Sequence, residues 1–250
     1  MVENDLDNVS QAEELANRYL ITCKQEGIVP HIDIDEIYAG IIYPEYKEFE
    51  LRFANIYKKT DTEERWALTD GKKKRIVLDE SLRHINRCRY AFTFAHEVRH
   101  VIDFCENPGL NVKQLSEEQL TALEHRADVF AAHLLMPTQF VMQKFLEKYG
   151  RGYVFDFFGP GDYYCDGKRK RWVQSQQELN RYFAQPLTPY FSHVSATSLS
   201  IRLQELGLLP RTFSGGFRDP DFIERKNQER VNDLNQLLSK WANVSLACSL

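Results

Sequence analysis

The stretch "AFTFAHEVRH", residues 91–100, decides how the rest of the chain is interpreted. It contains two histidines four residues apart, His96 and His100, and Glu97 directly follows the first of them. On an α-helix, residues i and i+4 lie about 40° apart around the axis, so both imidazoles would point the same way. Two imidazoles at that spacing can hold one zinc ion at ~2.0–2.1 Å. The competing interpretation is a solvent-facing helix on which the two histidines are only neighbours.

Glu97 has the position of a general base in such a site. It lies about 100° around the helix from His96, so it could reach a water at the metal without binding the metal itself. A carboxylate placed in this way is typical of metal-assisted hydrolysis. The motif is short, however, and a catalytic zinc also needs a third protein ligand and an open position.

A second helix offers that third ligand. The segment "LEHRADVFAAHLLMP", residues 123–137, belongs to a predicted helix that begins at a Ser-x-x-Gln capping box, residues 116–119, and ends before Pro137. Glu124 and Asp128 stand at i and i+4 beside its apolar stripe. One carboxylate could complete the metal shell, and the other could accept the outer N–H of a histidine ligand. The sequence does not indicate which of Glu124 and Asp128 would bind the metal and which would support the histidine. The alternative is that both are solvated carboxylates on an amphipathic helix.

Other patterns predict an α+β protein around these two helices. A helix is expected over residues 9–26, with Ser10 as its N-cap and Gly27 as its stop, and a short helix is expected between Pro30 and Gly40. A strand is expected over 49–55, and a hairpin over 65–81 that turns at Asp70 and Gly71. The helix that carries the two histidines is expected to begin near Asn86, a later helix is expected to begin at Ser195, and the charged tail over 218–242 is expected to be helical. We expect a main domain over residues 1–150, an irregular insertion or loop over 151–172, and a helical C-terminal part over 173–250. Within that part, residues 187–209 resemble half of a helix-turn-helix.

Composition narrows the class of protein. The net charge of −4 over 250 residues does not indicate nucleic-acid binding, so direct binding to nucleic acid is not expected. The N-terminus lacks the features of a signal peptide, and no segment reaches the ~18 apolar residues of a membrane span. Five scattered cysteines suit free thiols in a reducing compartment. We therefore expect a cytoplasmic protein without a membrane partner.

Three blocks of the sequence, taken in order, resemble the ImmA/IrrE family of metallopeptidases. They are "RYAFTFAHEVRH" at 89–100, "EHRADVFAAHLLMP" at 124–137 and "VSATSLSIRLQELGLL" at 194–209. The resemblance implies a zincin-like fold, in which a small antiparallel sheet packs on an active-site helix and a second ligand helix, followed by a C-terminal helical part.

The same resemblance implies a site of the gluzincin type. His96, His100 and Glu124 would be the metal ligands, Glu97 the general base, and Asp128 the support of a histidine ligand. The cofactor would be one zinc per chain, with manganese as an alternative ion. Proteins of this family cleave cytosolic regulators such as DNA-binding repressors or antitoxins, so we expect a protein substrate of that kind.

Two positions depart from the family's pattern. Arg99 stands where the family usually has glycine, and Arg126 stands where many members have a second acid. Arg99 could narrow the cleft, bind a substrate carboxylate, or pair with an acidic neighbour. Neither change removes an expected ligand.

Substrate presentation is predicted from the strand before the active-site helix. Arg75, Ile76, Val77 and Leu78 are expected to form an edge strand, to which an extended peptide could add as a further strand. The alternative function is a non-catalytic adaptor on the same fold that binds DNA or a partner protein. The metal content of the purified protein would separate the two.

Overall fold

The computed structural model describes residues 3–59, 64–149, 161–165, 168–173 and 175–209. Two compact units divide the chain: Met1–Pro137 with Pro189–Val194, and Thr138–Thr188 with Ser195–Leu250. The α-helices are α1 (Glu3–Gln25), α2 (Ile34–Ile37), α3 (Tyr43–Glu45), α4 (Leu82–Ile85), α5 (Arg87–Glu106), α6 (Glu117–Leu135), α7 (Thr138–Tyr149), α8 (Gln176–Ala184) and α9 (Ala196–Glu205). The strands are β1 (Glu50–Ala54), β2 (Lys58–Lys59), β3 (Glu64–Arg65), β4 (Ala67–Asp70), β5 (Arg75–Asp79), β6 (Gly161–Cys165) and β7 (Lys168–Val173).

The sheet of the first unit has three strands in the order β1-β5-β4. β4 and β5 form the predicted antiparallel hairpin, whereas β1 runs parallel to β5. The predicted α+β zincin-like fold is confirmed, but the sheet is mixed and not antiparallel. The chain leaves the end of β1, forms β2, β3 and β4, and so enters β5 from the end at which β1 began.

The prediction that Arg75–Leu78 forms an edge strand is wrong. These residues lie in β5, which pairs with a strand on each side, so its backbone groups are not available to an added peptide. Ile76 and Leu78 are fully buried, and Val77 is buried as well. A continuous apolar run of this kind is typical of a central strand that is covered on both faces, whereas an edge strand with one wet face alternates. Among the described strands, β4 is the edge on the side of α5.

The two helices that carry the motifs pack against each other beside this sheet. α5 begins after Asn86, whose side chain accepts a hydrogen bond from the backbone N–H of Arg89. α6 begins at the predicted capping box, in which Ser116 and Gln119 satisfy each other's backbone N–H groups. The apolar stripe of α6 is buried at Ala127, Phe130, Ala131 and Leu134. This packing places His96 and His100, which are both largely buried, on the face of α5 that lies next to α6.

Three local predictions differ from the structure. α1 begins at Glu3, so Ser10 lies inside it and does not cap it, although the helix stops as expected at Gly27, whose φ is +72°. The short helix predicted after Pro30 does not end at Gly40, because Gly40 lies inside a π-helical turn, Tyr38–Ile42. The β4–β5 connection is four residues long, and Lys74 adopts a φ of +47° within it.

In the second unit, Tyr149 of α7 donates a hydrogen bond to the carbonyl oxygen of Phe183 on α8, at 2.8 Å. α9 begins at the predicted cap Ser195 and ends before Gly207, whose φ is +70°. β6 and β7 form an antiparallel pair within the predicted insertion. The predicted tail helix over 218–242 lies outside the described residues. In the described part of the chain, no helix has both the length and the apolar character to cross a bilayer.

Candidate metal centre

Three side chains that could hold one metal ion meet between α5 and α6. His96 and His100 come from a largely buried face of α5, and Glu124 comes from α6. The Nε2 atoms of the two histidines lie 3.1 Å apart. The Glu124 carboxylate lies 3.1 Å from Nε2 of His96 and 3.6 Å from Nε2 of His100. One ligand atom from each residue therefore lies within 4.8 Å of the others.

This donor set fits a catalytic zinc ion. Two imidazole nitrogens and one carboxylate oxygen are the ligands of one well-known class of catalytic zinc site, in which a fourth position stays open. The three donors converge from only two helices, and the Glu124 side chain is half exposed. The approach from the Glu124 side is therefore open to solvent, as a substrate would require.

Asp128 lies behind His96 and not among the converging donors. The Nδ1–H of His96 donates a hydrogen bond to Asp128 at 2.8 Å, which leaves Nε2 directed toward Glu124. The structure thus separates the two carboxylates that sequence spacing left equivalent, because Glu124 faces Nε2 of the histidines and Asp128 faces Nδ1. A carboxylate on the outer nitrogen fixes the tautomer of a ligand histidine.

The charges of the three donors are strongly coupled in the metal-free protein. Burial acts to lower the pKa of His96, but hydrogen bonds to Asp128 and Glu124 outweigh it and raise that pKa to about 9. For His100, burial is likewise outweighed by the carboxylates of Asp103 and Glu124, and its pKa also rises to about 9. The histidines in turn hold the pKa of Glu124 below its ordinary value. In the metal-free protein, protons are therefore held on the imidazoles that would otherwise bind a cation.

Glu97 sits beside this cluster but is not one of the converging donors. Its side chain is 7% exposed, and burial raises its pKa, although His100 and a hydrogen bond from Thr69 oppose the rise. The Thr69 hydroxyl lies 2.7 Å from one carboxylate oxygen of Glu97 and 3.2 Å from the Glu97 backbone carbonyl. Thr69 belongs to edge strand β4, so the sheet edge directly contacts the expected general base.

Arg99 is a buried residue whose guanidinium is paired with acidic side chains. It is 4% exposed and its guanidinium is bound by Asp103 at 2.7 Å, by Glu106 at 3.0 Å and by Gln11 of α1. Of the three roles considered for it, pairing with an acidic neighbour is the one that the structure has. Arg126, the other departure from the family's pattern, donates to the same Asp103 oxygen at 2.7 Å.

Sequence reasoning missed two residues that touch the site, Thr69 and Asp103. Asp103 stands three residues after His100, so helical spacing alone placed it on the same side of α5. Thr69 has no such local signal, because its contact with Glu97 depends on how the β4–β5 hairpin packs against α5. The histidines His125 and His133 on α6 are not part of the group, and His133 instead bonds Glu13 of α1 at 2.8 Å.

Comparison with known proteins agrees with this geometry. Residues 47–152 match the family model Peptidase_M78, described as the IrrE N-terminal-like domain. This range includes all of the residues that surround the candidate metal group. A search of curated proteins found no match to the chain. The match over residues 47–152 supports the assignment of this part of the chain to the ImmA/IrrE family of metallopeptidases.

Proposed function

We propose that this protein is a zinc-dependent endopeptidase in which His96, His100 and Glu124 hold the metal and Glu97 is the general base. One observation carries the proposal: two imidazoles and a carboxylate converge within 4.8 Å, next to a separate, buried carboxylate. A purely structural metal site has no use for that fourth group. A non-catalytic adaptor does not need it either, and burial of the Glu97 carboxylate would destabilise such a protein without any functional benefit.

The roles of the residues follow from their environments. A zinc ion at these three ligands would polarise the scissile carbonyl and make an attacking water more acidic. Glu97 accepts the proton of that water and later delivers it to the leaving amine, a task for which a raised pKa is suited. Thr69 holds one oxygen of Glu97, so the other oxygen is left to face the reacting atoms. Asp128 keeps His96 in the tautomer that presents Nε2.

The substrate backbone would add to β4. In the β4–β5 pair, the N–H of Asp79 bonds to the carbonyl of Trp66, so residues 66, 68 and 70 face β5. By the alternation of an antiparallel pair, the N–H and C=O groups of Ala67 and Thr69 point to the free side. An extended peptide paired there would lie alongside α5, which carries the histidines and Glu97. Thr69 would then bond the substrate through its backbone and the general base through its hydroxyl.

We propose a folded cytosolic regulator, such as a DNA-binding repressor or antitoxin, as the substrate. The resemblance of the sequence blocks to the ImmA/IrrE family supports this class.

The test has two stages. The protein purified without chelators should contain one zinc per chain, and Glu97→Gln should contain the same amount. Wild type and Glu97→Gln are then co-expressed with regulators encoded near the gene, and intact masses are compared. One new cut that appears only with wild type supports the proposal. Absence of zinc from wild type would instead favour the adaptor, and rapid cleavage of casein at many sites would indicate a general peptidase.

A further inference from the structure

Asp103 is a fully buried carboxylate with two different oxygens. Its Oδ1 accepts hydrogen bonds from Arg99 and Arg126, each at 2.7 Å. Its Oδ2 is buried and has no hydrogen-bond partner among the described residues. The two arginines and the burial fix this carboxylate in place, so the unpaired oxygen has a fixed direction.

That oxygen faces the metal centre. Oδ2 of Asp103 lies 3.8 Å from Nδ1 of His100, one turn earlier on α5. This separation is about 0.8 Å longer than an ordinary N–H···O bond, and a small rotation of the imidazole closes it. A buried oxygen without a hydrogen-bond partner destabilises the fold, so closing the contact is favourable. The metal-side nitrogen of His100 is Nε2, which leaves Nδ1 free to donate.

The two histidines then have matching arrangements. His96 already donates from Nδ1 to Asp128 at 2.8 Å, and its Nε2 points toward Glu124. Asp128 is exposed and comes from α6, whereas Asp103 is buried and comes from α5 itself. Arg99 and Arg126 each donate a hydrogen bond to Asp103 and balance its buried charge.

We propose that Asp103 is a positioning residue of the metal centre, which accepts the Nδ1–H of His100 when metal is bound and is itself held by Arg99 and Arg126. The inference rests on the proposed metal site. It assigns a joint purpose to the two arginines that depart from the family's pattern, because both act on the single carboxylate behind His100. Their role is to hold a ligand's support and not to touch the substrate.

The test compares Asp103→Asn with Glu106→Gln. Both variants change a carboxylate bound to Arg99 into its amide, but only Asp103 reaches His100. Zinc affinity is measured by competition with a chelating dye. Loss of an outer carboxylate typically weakens metal binding about 10- to 100-fold, so we expect that loss for Asp103→Asn and an unchanged affinity for Glu106→Gln. Equal zinc affinities for wild type and Asp103→Asn, with both proteins folded, would overturn the proposal.

A second measurement covers the case in which Asp103→Asn does not fold. Nitrogen NMR of the zinc-loaded wild type should show His100 with its proton on Nδ1 and that proton protected from exchange. A zinc-loaded wild type whose His100 Nδ1–H exchanges freely with water contradicts the inference without any variant. If the wild type binds no zinc at all, the proposed function fails first, and that outcome is distinct from zinc binding that ignores Asp103.

Discussion

Zinc affinity should depend steeply on pH, because the metal must displace protons from the ligand histidines. Both His96 and His100 have a pKa raised to about 9 in the metal-free protein. A free imidazole titrates near pH 6.5, so ordinary histidine ligands would be fully available to the metal above neutral pH. In this protein, protons compete with zinc for the two histidines up to about pH 9.

The size of the effect follows from the geometry of the pair. The two Nε2 atoms lie 3.1 Å apart, and the charge of His96 lowers the pKa of His100, so the pair titrates as one coupled unit. For each proton that zinc displaces, its affinity rises tenfold per pH unit, or about 100-fold between pH 7 and pH 9. That factor means that the free energy of zinc binding is ~3 kcal/mol less favourable at pH 7 than at pH 9. Above about pH 9 the affinity should level off.

The same shift has a consequence for the metal-free protein with a definite sign. Histidines whose folded pKa exceeds the unfolded value stabilise the fold fully below pH 6.5, and this stabilisation is lost as pH rises through about 9. Denaturant unfolding of the metal-free protein should therefore show a falling free energy of unfolding between these limits. Zinc saturation should abolish this dependence, since the bound histidines are neutral throughout.

The assay is competition with a chelator of known pH dependence, at constant ionic strength, from pH 6 to pH 10. Asp128→Asn is the matched variant, because Asp128 is the strongest of the groups that raise the pKa of His96. Between pH 7 and pH 9 its zinc affinity should rise less steeply than that of wild type, because the pKa of His96 falls while Asp103 and Glu124 still raise the pKa of His100. A wild-type affinity that already levels off near pH 7 would refute the reasoning, since it would mean that the neighbouring carboxylates do not hold protons on the ligands.

Further predictions concern the general base and the hairpin. Glu97→Gln should keep its zinc and lose hydrolysis by at least about 100-fold, measured as cleavage of the co-expressed substrate; unchanged cleavage would exclude Glu97 as the base. Thr69→Val removes a hydrogen bond to a buried carboxylate that is worth ~1.5–3 kcal/mol, so kcat/KM should fall about 10- to 100-fold, while Thr69→Ser should retain most activity and both should bind zinc normally. Gly71→Ala should lower the free energy of unfolding by ~1–3 kcal/mol, because the added methyl group would clash with the Phe104 ring; equal denaturation midpoints for the two proteins would show that the ring moves aside at no cost.

Much of the fold was readable from local sequence. Helix starts at Asn86, Ser116 and Ser195 were predicted within a residue or two, because a capping side chain bonds a backbone N–H only two or three residues away. The convergence of His96 and His100 was likewise a matter of helical spacing. Such features depend on interactions that close within one turn of chain.

Long-range features were not readable in the same way. The pairing of β1 with β5 joins segments separated by three short strands, and no residue in β5 encodes whether it has one neighbour or two. The apolar run Ile76–Leu78 indicates that both faces of β5 are covered, but it does not indicate which strands pair with the edges of β5. The role of Arg99 depended on Asp103, on Glu106 and on Gln11 from α1, a helix more than seventy residues earlier.

The contacts of α1 make the order of assembly matter. Gln11 of α1 bonds the guanidinium of Arg99, and Asn8 of α1 bonds the backbone carbonyl of Arg126 at 2.9 Å. The helix thus braces both arginines that hold Asp103, although it contributes no ligand. If α5 and α6 pack together before α1 docks, the chain has every metal-binding side chain in place but lacks the α1 contacts to Arg99 and Arg126. If the proposed function holds, the metal centre is complete only after α1 docks, and removal of α1 by a proteolytic cut or a partner protein would weaken zinc binding without changing any ligand.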